Sequence, residues 1–176
     1  MTKATGQSEP TRQPPKSEDF DIRIARDGNW YHQGSLIGRK ALVKLFSTVL
    51  ERDEAGQYWL VTPAERGRIA VEDAPFTAVE LAVSGRGSDQ VLRFRTNLDD
   101  WVEAGRDHPM RIDRSPDSGE PRPYILVRDR LEALIARSVY YQLVELAVER
   151  RDKEGGDLGV WCKGIFFALG KVEEMS

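Results

Sequence analysis

The sequence predicts an α+β domain in which an antiparallel strand meander packs with two amphipathic helices. Hydrophobic residues make up 40% and charged residues 31% of its 176 residues, which is typical of a globular chain long enough to bury a core. Two separate segments carry apolar residues at helical spacing. Between them, short alternating or β-branched runs are separated by glycine-containing turns, which indicates antiparallel strands.

The N-terminal segment is rich in Thr, Gln, Ser, Pro and Lys and contains almost no apolar side chain. Such a segment cannot offset its ordering entropy by burial, so we predict a disordered tail over residues 1–19. We expect the ordered chain to begin at Phe20. It should form two subdomains, 20–88 and 89–176, which share one core.

The first ordered elements are a hairpin and a helix. Alternating apolar residues on both sides of the turn-forming pair Asp27-Gly28 predict a β-hairpin over residues 20–32. A helix over residues 39–52 follows, with charged residues mostly on its other side. Its apolar positions are Leu42, Leu45, Phe46, Val49 and Leu50.

The middle of the chain is rich in strands. We predict four of them in one antiparallel meander with one packed and one wet face: residues 58–61, 68–71, 79–83 and 91–95. Thr62-Pro63-Ala64-Glu65 has the pattern of a capping box and predicts a short helical turn. A second short helix should run from Thr96 or Asn97 through Trp101. Residues 105–123 read as a long surface loop, and such loops are often functional.

The strongest helical signal lies over residues 129–150. The apolar positions of this predicted helix are Leu131, Leu134, Ile135, Val139, Leu143, Leu146 and Ala147. Four further residues widen its apolar arc beyond one stripe: Tyr140, Tyr141, Val144 and Val148. We therefore predict a homodimer through this helix, the alternative being that the sheet covers the second arc. A last strand or hairpin is predicted over residues 160–169, around Gly164.

The two predicted helices also match each other at one constant offset. The matched positions are Arg39, Leu42, Leu45, Phe46 and Leu50 in the first, and Arg128, Leu131, Leu134, Ile135 and Val139 in the second. We interpret this match as two related β–helix–β repeats with the meander inserted between them.

Charge and composition exclude several classes of function. The net charge of −3 is distributed without the basic face that nucleic acid requires, so we expect no nucleic-acid partner. One cysteine, Cys162, and two histidines cannot form an internal disulfide or a Cys/His zinc site. No apolar run has the length of a membrane span, and residues 1–19 lack the apolar core of a signal peptide. We expect a cytoplasmic protein with no membrane partner.

The preferred ligand-binding candidate lies at the end of one predicted strand and consists of Arg93, Arg95, Thr96 and Asn97. The two arginines share a strand face, and guanidinium groups hold carboxylates or phosphates in bidentate geometry, so we expect a small anionic ligand. The alternative is the ordinary wet face of a sheet. Arg39 and Arg128 form a second candidate, since related repeats would place them near a pseudo-symmetry axis.

Chemistry-bearing residues outside this group are few. His108 lies in the predicted loop with acidic neighbours that are able to orient a general base, although a surface or turn histidine is the simpler interpretation. Glu72 and Asp73 are weak candidates for metal binding or acid–base chemistry. Neighbouring residues of a strand point to opposite faces, so these carboxylates converge only if the chain turns there. The sequence identifies no catalytic residue and no cofactor.

Nine short motifs, in this order, resemble a bacterial family. They are Gly28-Asn29-Trp30, Leu36-Ile37-Gly38-Arg39, Leu45-Phe46, Leu60-Val61-Thr62-Pro63-Ala64-Glu65, Val71-Glu72-Asp73-Ala74-Pro75-Phe76, Thr96-Asn97, His108-Pro109, Pro123-Tyr124-Ile125-Leu126-Val127-Arg128 and Gly159-Val160-Trp161-Cys162-Lys163-Gly164. The order of these motifs is similar to that in the bacterial family called domain of unknown function 1285. Together the motifs span nearly all of residues 20–170. The resemblance implies a cytosolic bacterial protein with an α+β fold, repeated motifs and a role in signalling. It implies no catalytic residues.

Three functional hypotheses follow. The preferred one is a non-catalytic module that binds a small ligand or a protein partner and acts in regulation or signal transduction, because no catalytic signature is present. The alternative is an enzyme for a small anionic substrate, with His108 or the carboxylates of Glu72 and Asp73 as acid–base groups and with Arg93 and Arg95 holding the anion. The third is a structural or oligomerising protein.

Overall fold

The computed structural model describes residues 16–174, which form a mostly stranded α+β architecture with two helices. The first sheet has six strands in the spatial order β3-β2-β1-β6-β5-β4. In chain order they are β1 (Lys16–Ile24), β2 (Trp30–His32), β3 (Ser35–Leu36), β4 (Leu50–Arg52), β5 (Tyr58–Val61) and β6 (Glu65–Val71). Helix α1 (Lys40–Thr48) connects β3 to β4. The central pair β1 and β6 is parallel, and the other neighbours are antiparallel.

The second sheet also has six strands, in the spatial order β10-β11-β12-β7-β8-β9. They are β7 (Phe76–Ser84), β8 (Val91–Thr96), β9 (Trp101–Glu103), β10 (Met110–Arg114), β11 (Pro121–Arg128) and β12 (Leu131–Ile135). Its first and last strands, β7 and β12, form the central parallel pair. Both sheets therefore consist of two antiparallel three-stranded units that are joined through their first and last strands.

The chain ends in helix α2 and a small third sheet. Helix α2 (Arg137–Leu146) is followed by the antiparallel strands β13 (Val148–Asp152), β14 (Gly155–Cys162) and β15 (Ile165–Lys171). The predicted hairpin around Gly164 is confirmed, as is the hairpin that joins β1 to β2. No helix within residues 16–174 is long and apolar enough to cross a membrane.

The ordered chain begins earlier than the sequence predicts. Strand β1 starts at Lys16, and its first four residues pair with β6 from Lys16↔Glu65 to Asp19↔Arg68. The prediction of a disordered tail is therefore wrong for residues 16–19, while residues 1–15 lie outside the described residues. Strand pairing uses backbone groups, so a segment without apolar side chains is able to join a sheet.

The predicted single meander is also wrong, because its four strands belong to two sheets. Strands β5 and β6 lie in the first sheet, and β7 and β8 lie in the second. The chain passes from one sheet to the other between Val71 and Phe76, through a segment that contains Pro75, which cannot donate a backbone hydrogen bond to a sheet. The predicted boundary between residues 88 and 89 falls in the turn that joins β7 to β8.

Two predicted short helices are turns between strands. Thr62 N donates to the Glu65 backbone oxygen at 2.9 Å, and Glu65 N donates to Thr62 Oγ1 at 3.1 Å, which closes the β5–β6 hairpin. The segment after Thr96 is likewise the β8–β9 hairpin. The predicted loop over residues 105–123 contains β10 and the start of β11.

Both long helices are shorter than predicted. Helix α1 ends at Thr48, and residues 50–52 form β4. The helix predicted over residues 129–150 is strand β12, helix α2 and part of strand β13. The offset proposed for the repeats therefore matches helical residues of α1 with residues of β12, and these positions are not structurally equivalent. The wide apolar arc on which the homodimer was predicted does not exist as one helical surface.

One hydrophobic core draws on both large sheets, both helices and the third sheet. Trp30, Phe76 and Phe94 are among its fully buried side chains. The β1–β2 turn packs against the second sheet at Gly28, where Asn97 Nδ2 donates to the Gly28 oxygen at 3.4 Å. Gly28 has a φ of +88°, and a Cβ there would lie 2.9 Å from Thr77 Oγ1, so this close contact requires glycine. The contact holds the β1–β2 turn at the junction of the two sheets.

Candidate ligand-binding site

The two arginines of the preferred ligand-binding candidate are paired with carboxylates of their own sheet. Arg93 Nε donates to Glu103 Oε2 at 3.1 Å, on the neighbouring strand β9. Arg95 Nε donates to Glu80 Oε2 at 2.6 Å, on the other neighbour, β7. Their strand face is thus a wet, charge-paired surface, as the alternative interpretation expects.

Thr96 and Asn97 shape turns. The buried Thr96 hydroxyl accepts hydrogen bonds from the backbone N–H groups of Leu98 at 3.2 Å and Asp100 at 3.3 Å. Asn97 Oδ1 accepts a hydrogen bond from Thr77 N at 3.0 Å. Because their polar atoms are used in this way, the structure does not bring them together with Arg93 around a common space.

Asp99, which is not among the residues predicted to be functional, forms ion pairs with three basic side chains. Its carboxylate lies 2.9 Å from Lys44 Nζ and 3.0 Å from Lys40 Nζ, both on α1, and 3.1 Å from Arg95 Nη1. Hydrogen bonds from Lys44 and Lys40 lower the pKa of Asp99 to about 2. The cluster joins α1 of the first half to the β8–β9 turn of the second.

Arg39 and Arg128 lie at opposite ends of α1. Arg39 is the exposed residue that precedes the helix. Arg128 donates from Nη1 to the Leu50 oxygen at 3.3 Å and from Nη2 to the Ser47 oxygen, at the carboxyl end of the helix. They do not form one site, and Arg128 connects the last turn of α1 to the start of β4 through these two carbonyl oxygens.

His108 is half-buried and held by the backbone. Its Nδ1 lies 3.0 Å from the Leu126 carbonyl oxygen, which accepts a hydrogen bond from this nitrogen. His108 lines an open cavity of about 690 Å³ with Trp101, Arg106 and Lys163. Lys163 is paired with Glu103.

The carboxylates of Glu72 and Asp73 diverge. Glu72 accepts hydrogen bonds from Arg26 N at 2.8 Å and Arg23 Nη1 at 2.7 Å, and these two bonds lower its pKa. Asp73 faces the second sheet, where Arg122 Nη2 and the Tyr124 hydroxyl each donate to it at 2.6 Å. Within residues 16–174 no group of three or more His, Cys, Asp or Glu side chains is placed to hold a metal ion.

A cavity of about 610 Å³ lies where the two halves of the chain meet. We call it the junction cavity and define it by Arg26, Asp73, Arg122, Arg137, Tyr140 and Tyr141. The β1–β2 turn supplies Arg26, and the segment between the sheets supplies Asp73. The remaining residues come from β11 and from α2, and the β10–β11 turn borders the opening.

The three arginines of the junction cavity differ in their partners. Arg122 uses Nη2 on Asp73, whose side chain is only 7% exposed. Arg137 Nη2 lies 3.4 Å from Glu120 Oε2 in a well-exposed pair. The Arg26 guanidinium donates no hydrogen bond and makes no ion pair to any described residue. Its charge contributes, at longer range, to lowering the pKa of Glu72.

Part of the cavity wall is apolar. Leu134, Ile135 and the buried Tyr140 line it, and Tyr141 lies at the rim with 57% of its surface exposed. Burial raises the pKa of Tyr140, so its phenol is neutral and able to donate a hydrogen bond. Helix α2 begins at this wall without a capping side chain or an acidic first-turn residue, so its N-terminal N–H groups add partial positive charge.

The candidate residues predicted from the sequence do not include Arg26, Arg122 or Arg137. One signal for them was present: the proline- and charge-rich segment over residues 105–123 was considered functional, and its second half borders the junction cavity. The contribution of Arg26 had no such signal, because it depends on the contact between the β1–β2 turn and the second sheet.

Comparison with known proteins identifies the family. Residues 75–169 match the family described as "Protein of unknown function (DUF1285), C-terminal domain", and residues 10–74 match "Domain of unknown function (DUF1285), N-terminal domain". The fold is similar to that of a DUF1285 family protein from Silicibacter pomeroyi DSS-3, with a TM-score of 0.84, 44% identity, and coverage of 98% of this chain and 92% of that one. A DUF1285 family protein from Shewanella baltica OS155 shares the fold, with a TM-score of 0.56, 24% identity, and coverage of 71% of this chain and 91% of that one. No functionally curated protein matches the sequence. The matches to both halves of the chain confirm the resemblance seen in the sequence, and the protein belongs to the DUF1285 family.

Proposed function

We propose that this protein is a non-catalytic binding module whose junction cavity takes a small anionic ligand. The observation that carries the proposal is the Arg26 guanidinium, which lines a cavity of about 610 Å³ without an ion-pair partner among residues 16–174. Small-molecule sites have volumes of roughly 300–1,000 Å³, with apolar walls and a few polar groups that fix the ligand. The junction cavity has this size and this lining.

The lining favours binding over catalysis. Within the described chain, no histidine or cysteine borders the junction cavity. Of its three carboxylates, Asp73 and Glu120 are paired with arginines, which makes them poor general bases, while Asp117 forms no ion pair with a described residue. The cavity joins segments from both halves of the chain, so an occupant would contact both halves and bias their arrangement. This supports the regulatory role that we propose for ligand binding.

The enzyme alternative depends on His108. Its Nε2 is available as a proton acceptor in a separate cavity that Arg106 and Lys163 also line. That arrangement suits a general base beside an anionic substrate. We prefer the binding role because Lys163 is already paired with Glu103. We place the protein in the cytoplasm, a reducing compartment that suits the single, buried and unpaired Cys162.

A thermal-shift screen with anionic metabolites tests the proposal. A ligand at one hundred times its Kd stabilises the folded protein by about 2.7 kcal/mol, which shifts the melting temperature measurably. We expect at least one anion to raise the melting temperature of the wild type but not that of Arg26→Gln. Arg93→Gln is the matched control, because it removes the same charge from the paired face of the second sheet. Equal responses of the wild type and Arg26→Gln to every anion would contradict the proposal.

A further inference from the structure

The balance of charge around the junction cavity limits the charge of its ligand. In each of the pairs Arg122–Asp73 and Arg137–Glu120, the positive and negative charges neutralise each other. Arg26 remains as a guanidinium without a short-range partner among the described residues. Asp117 also lines the cavity, and none of the described residues forms an ion pair with it. Asp117 and Glu120 are both lining residues, so a second negative charge on the ligand would share the cavity with these carboxylates, and like charges repel.

The apolar wall limits the rest of the ligand. Leu134 and Ile135 lie beside Tyr140, and prolines of the β10–β11 hairpin complete this side. Aliphatic and aromatic surfaces of this kind bind apolar groups, and tyrosine rings favour offset or edge contacts with other rings. A sugar or nucleoside needs several hydrogen-bond partners, whereas the side chains of this wall supply one hydroxyl group, that of Tyr140.

From these two observations we infer that the ligand is a monocarboxylate with a compact apolar or aromatic body. Arg26 would bind the carboxylate through two parallel N–H···O hydrogen bonds, the geometry in which a guanidinium holds a planar anion. The body of the ligand would lie against Leu134 and Tyr140. This inference rests on the proposed function and gives the chemical class of the ligand of the same cavity.

Calorimetric titration with a matched pair of probes tests the inference. Phenylacetate and phenylacetamide have nearly the same shape, but only the former carries a negative charge. We expect phenylacetate to bind the wild type and Arg93→Gln, and to bind Arg26→Gln at least about tenfold more weakly. Phenylacetamide should bind the wild type more weakly than phenylacetate does, with a loss of affinity similar to that caused by Arg26→Gln. Asp117→Asn should strengthen phenylacetate binding, because it removes a like charge from the cavity.

The same titrations separate a failure of the inference from a failure of the proposed function. Glycerol phosphate, a dianion with a polar body, is the competing probe. If it binds more tightly than phenylacetate and loses affinity in Arg26→Gln, the monocarboxylate class is wrong while the anion site stands. If neither probe binds in a manner that depends on Arg26, both the inference and the proposed function are overturned.

Discussion

Asp99 connects the two halves of the chain through charge. It lies in the β8–β9 turn with a φ of +70°, and its carboxylate accepts hydrogen bonds or ion pairs from Lys40 and Lys44 of α1. Its pKa is lowered from 3.8 to about 2, mainly by these lysines. A carboxyl group with a lowered pKa in the folded state stabilises that state above its unfolded pKa, and this contribution disappears as the pH falls through the folded pKa.

We therefore predict that Asp99→Asn lowers stability near neutral pH and loses its effect in acid. Asparagine keeps the size of the side chain and tolerates a positive φ, so the main change is the loss of charge. The difference in unfolding free energy between wild type and variant should be constant above about pH 4 and should shrink towards zero near about pH 2. Urea unfolding over a pH series measures it.

Asp107→Asn is the control for this prediction. Asp107 is exposed and makes no ion pair with any residue in the described range, so its removal should leave the pH dependence of stability unchanged. If Asp99→Asn and Asp107→Asn give the same pH profile, the lysine cluster does not stabilise the folded state.

Individual side-chain directions were predictable, but side-chain partners were not. Strand alternation correctly predicts that Arg93 and Arg95 share one wet face. Their partners Glu80 and Glu103 lie on adjacent strands, and strand pairing must be known before such ion pairs can be inferred. Arg122 and Asp73 are also far apart in the sequence, so no spacing pattern indicates their pair.

At the scale of elements, the carboxyl end of α1 depends on a residue from the other half of the chain. The helix has no basic residue in its last turn, and Arg128 of β11 donates to the carbonyl oxygens of Ser47 and Leu50. Hydrogen bonds from a charged donor contribute about 1.5–3 kcal/mol each when they are partly buried. Arg128 therefore stabilises both α1 and its position against the second sheet.

Arg128→Met should reduce the free energy of unfolding by about 1.5–3 kcal/mol, because it removes these donors while keeping a long apolar stem. Chemical denaturation measures the loss. The matched control is Arg130→Met. Arg130 pairs at 3.3 Å with a Glu54 side chain that is 90% exposed, and exposed pairs contribute about 0–1 kcal/mol. Equal losses in the two variants would show that these hydrogen bonds of Arg128 are unimportant.

The error over residues 129–150 has a clear physical origin. Strand β12 alternates between buried and partly buried positions, and its partly buried face carries Leu134 beside Glu132. Leu131, Leu134 and Ile135 therefore have the spacing of one helix face, and over so short a run periodicity cannot distinguish a strand from part of a helix. Ala136, with an extended backbone between β12 and α2, carries no sequence signal of a boundary. The hairpin at Asp27-Gly28 was predicted correctly because its turn chemistry is local.

For the whole molecule, the main feature is the continuity of the core. Family boundaries separate an N-terminal and a C-terminal domain between residues 74 and 75, yet one hydrophobic cluster extends across that boundary. Leu60 belongs to it from the first sheet and Phe94 from the second. The two halves are therefore expected to depend on each other for stability.

We predict a single cooperative unfolding transition. Calorimetry should give one peak, and circular dichroism and tryptophan fluorescence should report the same midpoint. Leu60→Ala, a change in the first sheet alone, should lower that common midpoint, since truncation of a buried leucine costs about 2–5 kcal/mol. Two separate transitions, with only the first shifted by Leu60→Ala, would mean that the halves fold independently.

The overall class was predictable from composition and patterning, and the family was recognisable from its short motifs. The sheet arrangement was not. The parallel pairing of β1 with β6, and of β12 with β7, uses backbone groups that leave no trace in residue spacing.

This parallel pairing has a consequence for the order of folding events. In each large sheet the first of the six strands along the chain pairs with the sixth, as in Ile24↔Val71 and Ala133↔Phe76. The three-stranded units on either side are built from hairpins and are able to form locally, within microseconds. Joining them requires closure of the whole intervening loop, whose entropy must be lost before the contacts form. During synthesis on the ribosome, the first strand of each sheet therefore keeps one edge unpaired until the sixth strand, its parallel partner, has emerged.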